Sequence, residues 1–131
     1  PFGKADIKRE GRDVTIVASS LMVVRALEAA NLLAARGIEA EVVDLRTIAP
    51  MDRDAILSSV AKTGKLVVVD EANVTCSIAS EVAAIVAEEG FSHLRGPIRR
   101  VCRPDVPIPF SPPMEARLTV TAERIVEAAS Q

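Results

Sequence analysis

Gly64-Lys65-Leu66-Val67-Val68-Val69-Asp70 is the stretch whose reading decides the fold. Four apolar residues in a row, three of them β-branched, stand between a glycine and an acid. The run is too short for a helix and lacks the alternation of a half-exposed strand, so it reads as a strand covered on both faces, as parallel strands are. Downstream, an amphipathic stretch from Ile78 to Glu89 is closed by Gly90. Upstream, the same pattern occurs twice more. Ala40-Glu41-Val42-Val43-Asp44 precedes a helix that starts near Asp52 and stops at Gly64, and Val14-Thr15-Ile16-Val17-Ala18 leads, through a Ser19 or Ser20 cap, into a helix from about Leu21 to Arg36 closed by Gly37. The three glycines are 27 and 26 residues apart, the length of a βα unit with tight connections. Ile98 to Cys102 supplies a further strand, Thr121 to Ala129 a terminal helix capped by Thr121, and Ala5 to Lys8 a short edge strand. The expected architecture is a three-layer α/β/α sandwich around a mostly parallel five-stranded sheet with one antiparallel edge strand, in a single domain of residues 1–131.

Composition narrows the function classes. A chain of 131 residues with 49% hydrophobic residues can bury one core. With 26% charged residues and a net charge of -2, nothing draws it to nucleic acid or an anionic membrane. Three Phe and no Tyr or Trp leave an aliphatic core and exclude the aromatic platforms of single-strand binders. Cys76 and Cys102 fit no metal-ligand or CxxC spacing and read as reduced thiols of a cytoplasmic protein. No apolar run approaches the roughly 20 residues of a membrane span, and no signal peptide is evident. The opening Pro1-Phe2-Gly3, without a methionine, reads as the start of a piece cut from a longer polypeptide.

The first helix is more apolar than one face of a sheet requires. Arg25, Glu28, Asn31 and the Ala35-Arg36 end form its only polar stripe, and the surplus predicts a second covering surface. The third helix, with Ser80, Glu81, Glu88 and Glu89 as its main polar positions, shares this expectation.

Ligands of parallel α/β sheets gather beyond the carboxyl ends of the strands. That rim carries Ser19 and Ser20, Asp44 with Arg46 and Thr47, and Asp70 with Glu71. Two acids, an arginine and hydroxyls could in principle form an acid/base site. Consecutive Asp70 and Glu71 point apart, however, and no nucleophile or metal-ligand set accompanies them, so helix capping and ion pairing are the expected roles. The turn Ala18-Ser19-Ser20-Leu21-Met22 has no glycine with which to cradle a dinucleotide, and Lys62-Thr63-Gly64-Lys65 is a helix end rather than a phosphate loop. His93, the only histidine, lies in a loop and is expected to make a surface contact. Pro104 to Pro113 holds five of the eight prolines, which calls for an extended path draped over the domain edge.

Three ordered blocks carry a family resemblance. Gly3-Lys4-Ala5, Lys8-Arg9-Glu10-Gly11 and Asp13 to Val17 open the first; Gly37 to Asp52, with Asp44-Leu45-Arg46-Thr47 and Pro50-Met51-Asp52, is the second; Pro104 to Glu115 followed by Ile125-Val126-Glu127-Ala128-Ala129 is the third. Together they resemble the transketolase-type carboxy-terminal domain of β subunits in thiamine diphosphate-dependent 2-oxo acid dehydrogenases of the pyruvate, acetoin and branched-chain type. The resemblance implies a parent enzyme that decarboxylates a 2-oxo acid oxidatively and passes the acyl group to a lipoyl arm, or cleaves acetoin. It implies thiamine diphosphate and Mg held in the parent and not by this domain alone. The implied partners are an alpha subunit, a second beta subunit and the dihydrolipoyl acyltransferase core. The catalytic histidine of that family belongs to the preceding domain, so His93 does not inherit its role. By this reading no residue here is catalytic or metal-binding; Arg46, Asp52, Asp70, Glu71, Asp105 and Glu115 organise interfaces or turns. Arg95 stands where many members place an acid used in core docking, and the reversed charge there would weaken a salt bridge to a basic partner and leave a like-charge pair. Ser19-Ser20 and Asn73 to Ile78 likewise replace turns that are glycine-containing in many members. The alternative from another class is an independent flavodoxin-like module that binds a nucleotide or flavin at the rim. A third, weaker reading is the matching domain of a 2-oxo acid:ferredoxin oxidoreductase.

Overall fold

The computed structural model describes residues 1–131. In chain order the elements are β1 (Asp6–Arg9), β2 (Val14–Ala18), α1 (Leu21–Ala34), β3 (Ala40–Asp44), α2 (Arg53–Thr63), β4 (Leu66–Asn73), α3 (Ile78–Glu89), a 3-10 turn (Phe91–His93), β5 (Arg99–Arg103), α4 (Pro112–Leu118) and α5 (Ala122–Ser130). The sheet order is β1-β3-β2-β4-β5, antiparallel only at β1/β3. This is the five-stranded, mostly parallel sheet expected from the sequence.

Strand β2 explains the layering. All five of its residues are buried, and their alternation splits the core in two. Val14, Ile16 and Ala18 pack with α1 and α5 on one face, while Val17 joins α2 and α3 on the other. Thr15, on that second face, is the polar exception. Its hydroxyl lies 2.7 Å from both Ser59 Oγ and Thr63 Oγ1 of α2. Ser59 donates in turn to Glu41 Oε2 at 2.6 Å. Glu41, only 3% exposed, also accepts from Gly11 N at 3.2 Å and pairs with Lys62. Every buried side-chain N or O atom has a hydrogen-bond partner, as burial of polar groups demands.

Several local expectations are corrected. Helix α1 ends at Ala34, and the chain then turns through Gly37 at φ 79. Neither serine caps α1: the N-cap position is Ser20, with φ 55 and ψ -135 and no side-chain bond. Thr121 does cap α5, accepting from Arg124 N at 3.3 Å, and Asp52, near which α2 was expected to start, caps that helix by accepting from Ala55 N at 3.1 Å. Strand β4 runs past Asp70 to Asn73, because beyond an irregularity in register Asn73 pairs with Arg103 of β5. The proline-rich path stays extended only to Ser111. Pro112 and Pro113 open the short helix α4, where their missing N–H groups cost nothing because the first helical amides have no intrahelical acceptor. Nor is the segment draped over the domain. Val106, Ile108, Phe110 and Met114 are all exposed, and α4 buries no residue.

Candidate functional site

The parallel strands run outward in both directions from β2, so the topological switch lies between the carboxyl ends of β2 and β4. Ser19 and Ser20 follow the first of these, and Asp70 with Glu71 stands on the second. Both oxygens of Asp70 are engaged locally: Oδ1 accepts from Ala72 N at 3.1 Å and Oδ2 from Ile78 N at 3.0 Å. Asp70 therefore closes the loop into α3 and is not poised as a base. Glu71 is exposed. Asp44 Oδ1 accepts from Arg46 N at 3.1 Å, again a turn contact. His93 follows α3, and Arg95 N donates to Gly64 O just ahead of β4, so both lie at the amino end of the sheet, opposite the rim.

Backbone strain marks the rim more clearly than charge does. The three non-glycine residues with positive φ are Ser20 (55°), Arg46 (61°) and Cys76 (57°). They sit in the loops that follow β2, β3 and β4. Side chains rarely adopt such angles unless the surroundings impose them. Ser20 has the sharp strand-to-helix turn that exposes a hydroxyl in some hydrolases. Here no histidine shares its end of the sheet, so the turn carries no nucleophile–base pair.

The block from Asp44 to Asp52 has a definite task, which is to hold the incoming chain. Gly3 N donates to Thr47 Oγ1 at 3.1 Å, Thr47 donates to Pro50 O at 2.9 Å, and Ala5 N donates to Asp52 Oδ2 at 2.9 Å. Asp52 thus caps α2 with one oxygen and tethers residues 3–5 with the other. The Ala5 N–H is the main reason its carboxyl lies below the usual range. Arg46 extends the arrangement to Asp6 at 3.9 Å, and Asp6 pairs with Lys8 at 2.7 Å. A hollow of about 640 Å³ opens here, lined by Pro1, Phe2, Lys4, Ala5, Asp6, Arg46 and Thr47.

The remaining predicted residues are scattered. Asp105 accepts from Thr75 N at 3.0 Å and from Thr75 Oγ1, which ties the loop after β5 to the loop after β4. The Thr75 hydroxyl bond is the leading cause of its lowered carboxyl pKa. Glu115 lies on α4 and is exposed, as is Arg95, whose side chain crosses Gly64. A Cβ on Gly64, already at φ 76, would meet Arg95 Nε at 2.7 Å. The structure brings Arg46 and Asp52 together around the arm, but it leaves Asp70 with Glu71, Asp105, Glu115 and Arg95 apart. Sequence reasoning missed the polar cluster around Glu41, although an acid inside the strand Ala40–Asp44 was a signal for it. It also missed Thr75 as the partner of Asp105, which no local pattern announces.

The surplus apolar surface belongs to α1 alone. Leu21, Val24 and Leu32 are exposed there, whereas the large apolar residues of α3 are buried or partly covered. The exposed Val106 to Met114 segment adds a second apolar area. No helix is long and apolar enough to cross a membrane.

Comparisons with known proteins agree with this architecture. Residues 3–125 match the family model described as transketolase, C-terminal domain. The chain is 53% identical over 126 residues to the acetoin:2,6-dichlorophenolindophenol oxidoreductase subunit beta of Bacillus subtilis, covering 96% of this chain and 37% of that protein. It is 45% identical over 131 residues to the mitochondrial pyruvate dehydrogenase E1 component subunit beta of Dictyostelium discoideum, covering 100% and 37%. Among solved structures, a split gene transketolase described as an inactive beta4 tetramer superimposes with a TM-score of 0.85 at 36% identity, covering 98% of this chain and 40% of that one. The chain thus spans well under half the length of the curated relatives it matches. On sequence and fold together, it belongs to the transketolase C-terminal domain family.

Proposed function

We propose that this chain is the carboxy-terminal domain of the β subunit of a 2-oxo acid or acetoin dehydrogenase, serving assembly of the subunit and its docking into the larger enzyme. The observation that carries the reading is the near-complete match to β subunits of which this chain represents only 37%. The parent would use thiamine diphosphate with Mg, join an alpha subunit and a second beta subunit, and work in the cytoplasm of its cell. Docking onto a dihydrolipoyl acyltransferase core, with Arg95 at the contact, is the finer part of the same proposal. The higher identity to the acetoin subunit, 53% against 45%, favours acetoin over pyruvate as the parent's substrate.

By this reading the domain does not hold the cofactor alone. A magnesium–pyrophosphate group needs free carboxylate and amide ligands, while both oxygens of Asp70 and one of Asp44 are engaged in their own loops. No cluster of three His, Cys, Asp or Glu side chains is placed to hold a metal. No chemical step is therefore assigned to this domain. Its contribution is a surface: the strained rim, the arm held by Asp52 and Thr47, and the exposed stripe of α1.

The test is a hybrid. Replacing the matching portion of the Bacillus subtilis acetoin β subunit with residues 1–131 should give a subunit that assembles with its alpha partner and reduces dichlorophenolindophenol with acetoin. The isolated 131-residue chain should show no turnover. A hybrid that folds but never assembles, or turnover by the isolated chain, would sink the reading.

A further inference from the structure

Five arginines surround strand β5, and none belongs to an ion pair. Arg99, Arg100 and Arg103 are on the strand itself, Arg117 is on α4 and Arg124 on α5. The six ion pairs of the molecule all lie elsewhere. Instead, two of these guanidinium groups are held by neutral acceptors. Arg100 Nη1 donates to Ser80 Oγ at 2.7 Å and to Val74 O at 3.3 Å. Arg124 Nη2 donates to Cys102 O at 2.9 Å and its Nη1 to Thr119 O at 3.5 Å. Neutral acceptors fix the position of a guanidinium without forming an ion pair with it.

Four of the five converge on one hollow. Arg100, Arg103, Arg117 and Arg124 line a space of about 360 Å³, with Val74, Cys102 and Pro104 completing its wall. That volume lies within the range of small-molecule sites. The nearby acid Asp105 accepts from Thr75 N and Oγ1 and acts on Arg100 through its charge without pairing with it, and Glu127 lines a neighbouring hollow that shares Arg100 and Arg124. Protection of a sheet edge from unwanted pairing would account for charges along β5. It does not account for Arg117 and Arg124, which reach the same space from two different helices.

We propose that this hollow binds a phosphorylated small molecule, with the four arginines gripping its phosphoryl or pyrophosphoryl group. Guanidinium forks match phosphate oxygens in pairs, and a phosphoryl group brings both the charge and the number of acceptors that four arginines call for. A monocarboxylate brings one charge and two oxygens. The site lies on the β5 side of the sheet, away from the arm held by Asp52, and does not depend on the parent reaction proposed above.

The test is a titration of the isotope-labelled 131-residue chain with inorganic pyrophosphate, followed by NMR at constant ionic strength maintained with sodium chloride. Saturable shifts should concentrate on Val74, Arg100, Cys102, Arg103, Arg117 and Arg124, with a Kd below about 1 mM. Arg103→Gln and Arg117→Gln remove side chains that make no intramolecular hydrogen bond, so these variants should fold normally and bind at least about tenfold more weakly. Arg36→Gln, remote from β5, should bind as the parent does. Non-saturating shifts, shifts spread over all cationic positions, or unchanged binding in both glutamine variants would overturn the proposal. So would acetate binding as tightly as pyrophosphate, or a glutamate-rich peptide binding more tightly, the latter pointing to a protein partner.

Discussion

At the amino end of the sheet, Glu41, Thr15, Ser59 and Thr63 form a buried cluster in which each polar atom has a partner; at the carboxyl end, Ser20, Arg46 and Cys76 hold positive φ angles on exposed or half-exposed turns. The same four parallel strands connect both ends. The amino end is satisfied within the domain, and its removal should cost stability. The carboxyl end stores conformational strain that an isolated domain gains nothing from, in line with the proposed role of the rim as a surface facing the rest of a larger enzyme. Substitutions in the buried cluster and at the strained turn residues should therefore move stability in opposite directions.

The largest effect is expected at Glu41. Glu41→Ala leaves the buried Ser59 Oγ and the half-buried Gly11 N without this acceptor and removes the partner of the exposed Lys62, and chemical denaturation should show a loss of about 2–3 kcal/mol. The same residue sets a pH dependence. Burial pushes its carboxyl up, but the bonds from Lys62, Ser59 and Gly11 N together outweigh this and hold it below its ordinary 4.5. A carboxyl lowered in the folded state contributes stability above its unfolded value, and that contribution is lost as the pH falls through the folded one. Stability should thus be flat near neutrality and decline below about pH 4.5, with a shallower decline in Glu41→Gln. An unchanged acid slope in that variant would remove Glu41 from the account.

Asp52→Ala comes next, with a loss of about 1–2 kcal/mol from the missing cap of α2. It should also release the arm, so that hydrogen exchange at Gly3 and Ala5 accelerates well beyond the change in global stability. Exchange that merely tracks global stability would show that Asp52 acts on α2 alone. This double duty also shows how legible the molecule was. Strand runs and the glycine-closed βα repeat followed from local pattern, because burial on one or two faces imposes a period on the chain. The start of α2 near Asp52 was readable as well. The second bond of Asp52, to Ala5 N 47 residues away, was not, nor was Thr75 on Asp105, since contacts across loops leave no period in the chain. The turn at Ser20 was misread because a serine before a helix ordinarily caps it, and here the φ and ψ angles put its hydroxyl out of reach of the helix amides.

At the strained end the sign reverses. Ser20→Gly should stabilise the domain by about 1 kcal/mol, since φ 55 with ψ -135 is open to glycine and costly for other residues. The gain should appear as a higher denaturation midpoint with an unchanged slope. A loss of stability would mean that the Ser20 side chain contributes more than its backbone costs.

The smallest change in stability, and the sharpest contrast with Glu41, is expected at Phe110. Its side chain is fully exposed and stands beside Ile108 and Met114 on a segment that buries almost nothing. An isolated exposed apolar residue is ordinary, but a run of them on a proline-stiffened path fits the proposed role of the domain in subunit assembly. Phe110→Ser should therefore leave the denaturation curve within about 0.5 kcal/mol of the parent. In the hybrid β subunit it should impair assembly with the alpha partner, read by size-exclusion chromatography. A variant that unfolds would place Phe110 in the domain's own core, and one that both folds and assembles normally would show that the segment's apolar face has no part in joining subunits.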